Sequence, residues 1–160
     1  MNSETTRRTP EVRRRDPADA AGPRRMVGVD RCEALRLLGS VSFGRIVFTQ
    51  HALPAIRPVN HIVDRGDIVI RTHEGAALVS YTREAGGLGV VVAYEADTID
   101  SVTHLGWSVV ATGYARLVTD PGDLARYRAV LRPWVDRSTD FTVRIHPEEI
   151  TAVRLVPCGG

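Results

Sequence analysis

The sequence predicts a mainly β protein, an antiparallel barrel with a few short helices. Six or seven short segments are rich in β-branched and aromatic residues, and hairpin-length connections join most of them. No stretch alternates strands with helices of the length that a parallel sheet requires. The 160 residues, 43% hydrophobic and 25% charged, are enough for one domain with its own core. We expect the helices to plug the ends of the barrel or cover its seam.

Local signals place the elements in order. Asp30 can cap a helix with Glu33 completing a capping box, and Asp120-Pro121 opens another helix. Gly113 predicts a bend or bulge. In chain order we expect a helix at 30–38, a strand at 42–49, a hairpin over 53–72 that turns at 64–67, a helix at 74–81, a loop at 83–89, a strand at 90–96, a loop at 97–106, a strand at 107–118, a helix from 120 that ends at 132–133, and strands at 140–145 and 150–155 on either side of a turn at 146–149.

The first 26 residues differ in composition from the rest. They hold seven arginines against four acidic residues and few large apolar side chains, which predicts a disordered basic tail. This tail is either a weak nucleic-acid or partner-binding arm, or a solvated extension before a true start at Met26. The domain expected at 27–157 is nearly neutral, which argues against a broad nucleic-acid surface on it.

Composition excludes several chemistries and suggests a location. All 21 basic residues are arginine, so Schiff-base catalysis by lysine and the phosphate-binding loop ending in Gly-Lys-Ser/Thr are excluded. Cys32 lies in an expected helix and Cys158 lies in the last three residues, which indicates free thiols and a cytoplasmic protein. No apolar run approaches the roughly 20 residues that span a bilayer.

Other familiar site patterns are absent from the sequence. The five histidines are scattered without the spacing of a metal site, and no Gly-x-Ser-x-Gly motif is present. The glycines of Gly86–Gly89 precede an expected strand and do not open a helix, so the dinucleotide-binding fingerprint fails.

The hairpin over 53–72 carries the remaining candidate site. Arg57 and Arg71 are suited to gripping phosphate, the hydroxyl of Thr72 lies at a strand end, and the amide of Asn60 can pair with the edge of a planar ring. The following helix, near Gly75–Ala77, would direct free amides to the same place. The alternative is that both arginines are exposed strand residues balanced by nearby aspartates.

The order of five motifs resembles the pyridoxamine 5′-phosphate oxidase-like split-barrel flavoproteins, and most closely their actinobacterial, nitroimidazole-resistance-like branch. The resemblance covers roughly residues 30–155. The motifs are GRIVF at Gly44–Phe48, PAIRPVNH at Pro54–His61, IVIRTHEG at Ile68–Gly75, VAYEAD at Val92–Asp97 and GWSVVATG at Gly106–Gly113.

The resemblance implies a six-stranded Greek-key split barrel and a homodimer with FMN in clefts at the dimer interface. By position, Arg57, Pro58, Val59 and Asn60 would line the flavin ring and ribityl chain. The phosphate would be held by Arg71, Thr72 and the turn that contains Gly75, Ala76 and Ala77. Trp107 and Ser108 would border the same cleft, from the same subunit or from the partner subunit.

One departure from the family pattern keeps alternatives open. Relatives commonly have Gly-Ser/Thr-Lys where this chain has Gly75-Ala76-Ala77, so Arg71 or Arg83 would have to replace the missing phosphate contact. The expected function is an FMN-dependent oxidoreductase that uses a nicotinamide electron donor. The alternatives are a non-catalytic carrier or sensor of flavin, deazaflavin F420 or haem, and a dimeric protein with a degenerate cofactor site.

Overall fold

A computed structural model describes residues 22–73, 77–131 and 140–158. In these ranges the chain forms seven strands, three α-helices and one short 3-10 turn at Gly86–Leu88. The elements are β1 (Arg24–Gly28), α1 (Arg31–Gly39), β2 (Phe43–Gln50), β3 (Leu53–Asp64), β4 (Asp67–His73), α2 (Ala77–Ala85), β5 (Val90–Ile99), β6 (Gly106–Leu117), α3 (Pro121–Val130) and β7 (Asp140–Pro157).

The strands form a closed antiparallel barrel. The sheet order is β1-β7-β4-β3-β2-β5-β6, and an additional β6–β7 pairing closes the ring. The ring therefore contains six strands, β2 to β7, and β1 pairs with the C-terminal part of β7. This confirms the predicted barrel class, with one strand more than the resemblance implied.

The first strand, β1, was missed by the sequence analysis. Arg24 to Gly28 pair with the C-terminal part of β7, and Cys158 N–H donates to Pro23 O at 2.8 Å. The boundary expected between residues 26 and 27 falls inside this strand. Among the described strands, β1 pairs with β7 along one edge, and Met26 remains largely exposed, so the local pattern carried little sign of burial.

The last strand, β7, corrects a second prediction. The turn expected at 146–149 is wrong, because Asp140–Pro157 is one strand with a shift of register opposite Thr112 and Gly113. A Cβ on Gly113 would lie 1.9 Å from His146 O, so glycine is required where the two backbones approach. The predicted irregularity at Gly113 is thus confirmed, and it lets β7 continue past Pro147.

Two connections are shorter than expected. Strand β5 extends to Ile99, so the loop predicted at 97–106 is reduced to the tight connection between β5 and β6. Helix α2 extends to Ala85, so Arg83 lies in a helix and not in the loop predicted at 83–89. In both cases packing extends an element that local propensity would have ended earlier.

The helices cover the barrel at different places. Leu37 and Leu38 of α1 and Leu78 of α2 join the main core, whereas Tyr127 of α3 packs with Val69 on the outer side of β4. The predicted caps Asp30 and Asp120 are confirmed, since each carboxylate accepts from the backbone N–H three residues further along the chain. The carboxylate of Glu33, expected to complete a capping box, pairs instead with Arg36 and Arg154. Within the described ranges, no helix combines the length and apolar composition needed to cross a membrane.

Candidate functional site

The ladder between β3 and β4 ends early and leaves an opening in the barrel wall. Strand β4 pairs with β3 only over His61–Asp64 of β3. The C-terminal residues of β4, from Arg71 to His73, pair with β7 alone among the described strands. Residues 53–60 of β3 keep β2 on one edge, and no described strand pairs with their other edge. We call the opening between residues 53–60 of β3 and 71–73 of β4 the β3–β4 gap.

Backbone groups of β3 are directed into this gap. The N–H of His61 donates to Ser42 O at 2.9 Å, on the β2 side of the strand. Because hydrogen-bonding direction alternates along an antiparallel strand, Ile56, Pro58 and Asn60 direct their backbone groups away from β2 and into the gap. Proline has no N–H. The gap is therefore lined by several carbonyl oxygens but by fewer amide donors, that of Ile56 among them.

Four of the residues predicted to bind a cofactor lie together on this edge. Arg57 is exposed, and its Nη1 donates to Ile56 O at 2.8 Å, which places its charge at the rim of the gap. Pro58 is exposed, Val59 is half-buried, and Asn60 is only 8% exposed. Because side chains alternate along a strand, Arg57 and Val59 lie on the inner face, and Pro58 and Asn60 lie on the outer face.

A buried histidine lies where the gap begins. His61 is 2% exposed, and its imidazole contacts Leu38 O at 2.8 Å and Tyr94 Oη at 2.7 Å. Because a carbonyl oxygen only accepts, Nε2 carries the proton and Nδ1 accepts from the hydroxyl. Burial lowers the pKa of His61 and raises the pKa of Tyr94. This pair links the C-terminal end of α1 to the barrel beneath it.

The two residues predicted on β4 lie on opposite faces of the sheet. Thr72 shares the inner face with the buried Ile70, whereas Arg71 is on the outer face with Val69. The Nη1 of Arg71 donates to Leu131 O at 2.8 Å, at the C-terminal end of α3. In this structure the side chain of Arg71 is therefore engaged with α3, away from the side on which Thr72 lies.

A second arginine lies on the inner side. The Cζ atom of Arg83, in α2, is 4.6 Å from the centre of the Phe141 ring. Phe141 of β7 is the direct cross-strand partner of Thr72, and it continues the inner face formed by Val143 and Ile145. Arg83 is therefore held beside the end of β4, on the same side as Thr72.

The other predicted residues are not gathered at the gap. Gly75 and Ala76 lie outside the described residues, and Ala77 begins α2 and packs against the core. Trp107 is 8% exposed and belongs to the core, while Ser108 faces outward on β6. Strand β6 is three places from β3 in either direction around the ring, so within one chain neither residue borders the gap.

A charged network that the sequence analysis missed fixes α3 to the barrel. Tyr127 Oη donates to Asp64 at 2.6 Å and accepts from Arg144 at 2.8 Å, and Arg126 pairs with Asp64 at 3.0 Å. Arg126 and, next, Tyr127 lower the pKa of Asp64 to about 2. No local signal could have found these pairs, because their members are separated by 17 to 63 residues.

An open pocket of about 380 Å³ lies beside this network, at the opposite end of β4 from the gap. Asp123 and Asp67 in its lining both pair with Arg144, at 2.8 Å and 3.7 Å, and Asp67 also contacts His146 Nδ1 at 2.7 Å. In the described part of the chain, no group of three or more His, Cys, Asp or Glu residues is arranged to hold a metal ion.

A comparison with known families identifies the family to which the barrel belongs. The family model described as pyridoxamine 5′-phosphate oxidase matches residues 30–154. The chain belongs to this family. The match spans α1 to β7 and includes every residue that borders the gap, so the resemblance predicted from the sequence is confirmed.

Relatives of this pyridoxamine 5′-phosphate oxidase family member match over most of its length. An uncharacterized protein of Mycobacterium tuberculosis is 49% identical over 148 residues, which cover 92% of this chain and 95% of that protein. The structure of a candidate pyridoxamine 5′-phosphate oxidase from Corynebacterium glutamicum is 34% identical, with a TM-score of 0.67 over 84% of this chain and 96% of that one. The structure of an FAD binding protein from Mycobacterium smegmatis is 36% identical, with a TM-score of 0.65 over 81% of this chain and 99% of that one.

His61 predicts an acid sensitivity of this family member. Its folded-state pKa lies below the ordinary value of 6.5 because of burial, so the unfolded chain binds the proton first as the pH falls. The free energy of unfolding should therefore decrease as the pH falls below about 6.5, by at most about 1.4 kcal/mol per pH unit from this one group. Urea unfolding at several pH values measures this loss.

The control for this measurement is His61→Gln, which keeps a donor for Leu38 O but does not titrate. Its stability should vary less than that of the wild type over the same pH range. Equal pH dependence in the two proteins would contradict the assignment to His61.

Proposed function

We propose that this chain binds a flavin in the β3–β4 gap and acts as an FMN-dependent oxidoreductase with a nicotinamide electron donor. The observation that carries the proposal is the edge of β3 at residues 53–60, which lacks a strand partner in the described structure. Family membership supports it, and so does the relative from Mycobacterium smegmatis, 36% identical, which is named as an FAD binding protein.

The groups along this edge suit a flavin. The pyrimidine edge of the isoalloxazine ring alternates carbonyl oxygens with ring nitrogens, so it needs both donors and acceptors from its site. The edge of β3 offers the N–H of Ile56 and the C=O of Pro58, both directed into the gap. Val59 adds apolar surface on the inner face of the strand, the face that Thr72 also occupies, whereas Pro58 and the side-chain amide of Asn60 lie on the outer face.

The flavin and the protein would have different roles in this site. A bound flavin supplies the electron-transfer chemistry, and the protein needs only to bind, orient and tune it. Backbone groups of β3 would fix the ring edge, while Arg57 holds a positive charge at the rim through its contact with Ile56 O. Thr72, across the gap, would reach the ribityl phosphate.

We also propose that the chain forms a homodimer through the outer face of β3, β2, β5 and β6. Ile56, Val47 and Ala93 form one cross-strand row on this face, next to the exposed side chains of Val91 and Tyr114. Contiguous exposed apolar surface of this kind marks interaction sites in soluble proteins. A dimer through this face would cover side chains next to the gap of each subunit.

The dimer would also determine which predicted residues can reach a partner's cofactor. Ser108 faces outward on β6, so it lies on the proposed interface side. Trp107 points into the core of its own subunit, where it packs with Val109 and Ala111. We therefore assign the contact with the partner's flavin to Ser108 and a packing role to Trp107.

The absorbance spectrum of the purified protein tests the cofactor assignment. We expect a flavin spectrum, present on isolation or after addition of FMN, that dithionite bleaches and air restores. A Soret band would indicate haem in its place. A protein that takes up neither FMN, FAD nor F420 in titration would contradict the proposal. Bleaching by NADH or NADPH, followed by turnover of an acceptor, would distinguish an oxidoreductase from a carrier.

Light scattering coupled to size-exclusion chromatography tests the interface. Val91 is 67% exposed on the proposed interface, so Val91→Asp should convert the dimer to a monomer by placing a charge against an apolar partner surface. Val130 is 60% exposed on α3, away from this face, and Val130→Asp should leave the dimer intact. A wild-type monomer, or a dimer that survives Val91→Asp unchanged, would contradict the assignment.

A further inference from the structure

We propose that Arg83, together with Thr72, holds the phosphate group of the bound flavin and takes the place of the lysine that this chain lacks. The inference rests on the proposed function, because it concerns the phosphate end of the same cofactor. The sequence placed Arg71 at the phosphate and named either Arg71 or Arg83 as the replacement for the missing contact, and the inference chooses Arg83.

The direction of the side chains separates the two arginines. Along β4, successive side chains point to opposite faces, so Thr72 and Arg71 lie on different sides of the sheet. Phe141 is the cross-strand partner of Thr72 and shares its face. The guanidinium of Arg83 lies 4.6 Å from the ring centre of Phe141, so it is the arginine on the side of the Thr72 hydroxyl.

The position of Arg83 is suited to an anion. A guanidinium stacked on an aromatic ring is restrained, yet its N–H groups point outward around its edge. No hydrogen bond or ion pair joins Arg83 to any residue in the described ranges, and its side chain is exposed. Its donors can therefore form a bidentate contact with a phosphate without breaking an existing polar contact.

Arg71 has a different function in this structure. Its Nη1 donates to Leu131 O, a carbonyl at the C-terminal end of α3, where a positive charge is favourable. Moving it to the inner face would forfeit this contact, and Leu131 is a buried member of the small core under α3. We therefore assign to Arg71 the anchoring of α3 and not the binding of phosphate.

The experiment compares flavins that differ in phosphate. Wild type, Arg83→Gln, Arg83→Lys and Arg71→Gln are titrated with FMN, FAD and riboflavin, which has no phosphate, by following flavin fluorescence. Arg128 is exposed on α3, remote from the gap, and Arg128→Gln is the matched control for removing one surface charge. Circular dichroism verifies that each variant is folded.

We expect the wild type to bind FMN more tightly than riboflavin. Arg83→Gln should reduce FMN affinity about 10- to 100-fold, the effect of losing a charge-assisted contact, while riboflavin affinity stays the same. Arg83→Lys should restore part of the difference, because lysine keeps the charge but not the planar fork. An equal loss for FAD identifies the phosphate that both cofactors share, and a loss for FMN alone identifies the terminal monoester.

Three results would overturn the inference. Arg83→Gln could keep the wild-type ratio of FMN to riboflavin affinity, in which case flavin binding stands but the phosphate lies elsewhere. Arg71→Gln could abolish that ratio in a folded protein while Arg83→Gln does not, which would return the phosphate to Arg71. If the wild type binds none of the three flavins, the proposed function fails together with this inference.

Discussion

The early end of the β3–β4 ladder is the constraint on which the site depends. After His61 and Ile70 the two strands separate, β3 continuing along β2 and β4 along β7. The backbone groups of β3 that would have bonded β4 then face an opening. An unpaired edge of this kind can form a β-ladder with another strand. The prolines at positions 54 and 58 lack the N–H groups that such a ladder would need. The edge remains suited to a planar ligand that carries its own donors and acceptors.

The surroundings of the gap show how a mostly apolar barrel keeps this opening in place. His61 lies at its vertex and ties α1 to β5 through Leu38 O and Tyr94. Gly44, the cross-strand partner of Val59, has no room for a side chain, since a Cβ there would lie 2.5 Å from Tyr94 Oη. The opening therefore depends on the buried pair of His61 and Tyr94 and on the close packing of Gly44 against Tyr94. Both hold β3 in register with β2 while its other edge stays open.

The sequence predicted the barrel class, most of its elements and the strand that borders the site, because alternation, turn residues and caps are local signals. It could not place β1, whose side chains are mostly exposed, nor the continuity of β7, which depends on the absent side chain of Gly113. The contact between Arg83 and Phe141 was also beyond it, since the two residues meet only through the β4–β7 ladder and the path of α2. The expectation that Arg71 holds the phosphate stays a prediction, although the structure places its side chain on the face opposite Thr72, because neighbours along a strand point to opposite faces.

Hydrogen exchange at single amides tests most directly whether a flavin lies along the open edge of β3. The N–H of Ile56 faces the gap, whereas the N–H of Arg57 faces β2 through the pair with Ile46 and serves as the internal reference. We predict that saturating FMN slows hydrogen exchange at the amide of Ile56 and leaves the exchange rate at the amide of Arg57 nearly unchanged. Bound FMN that leaves the exchange of Ile56 unaltered would contradict the account.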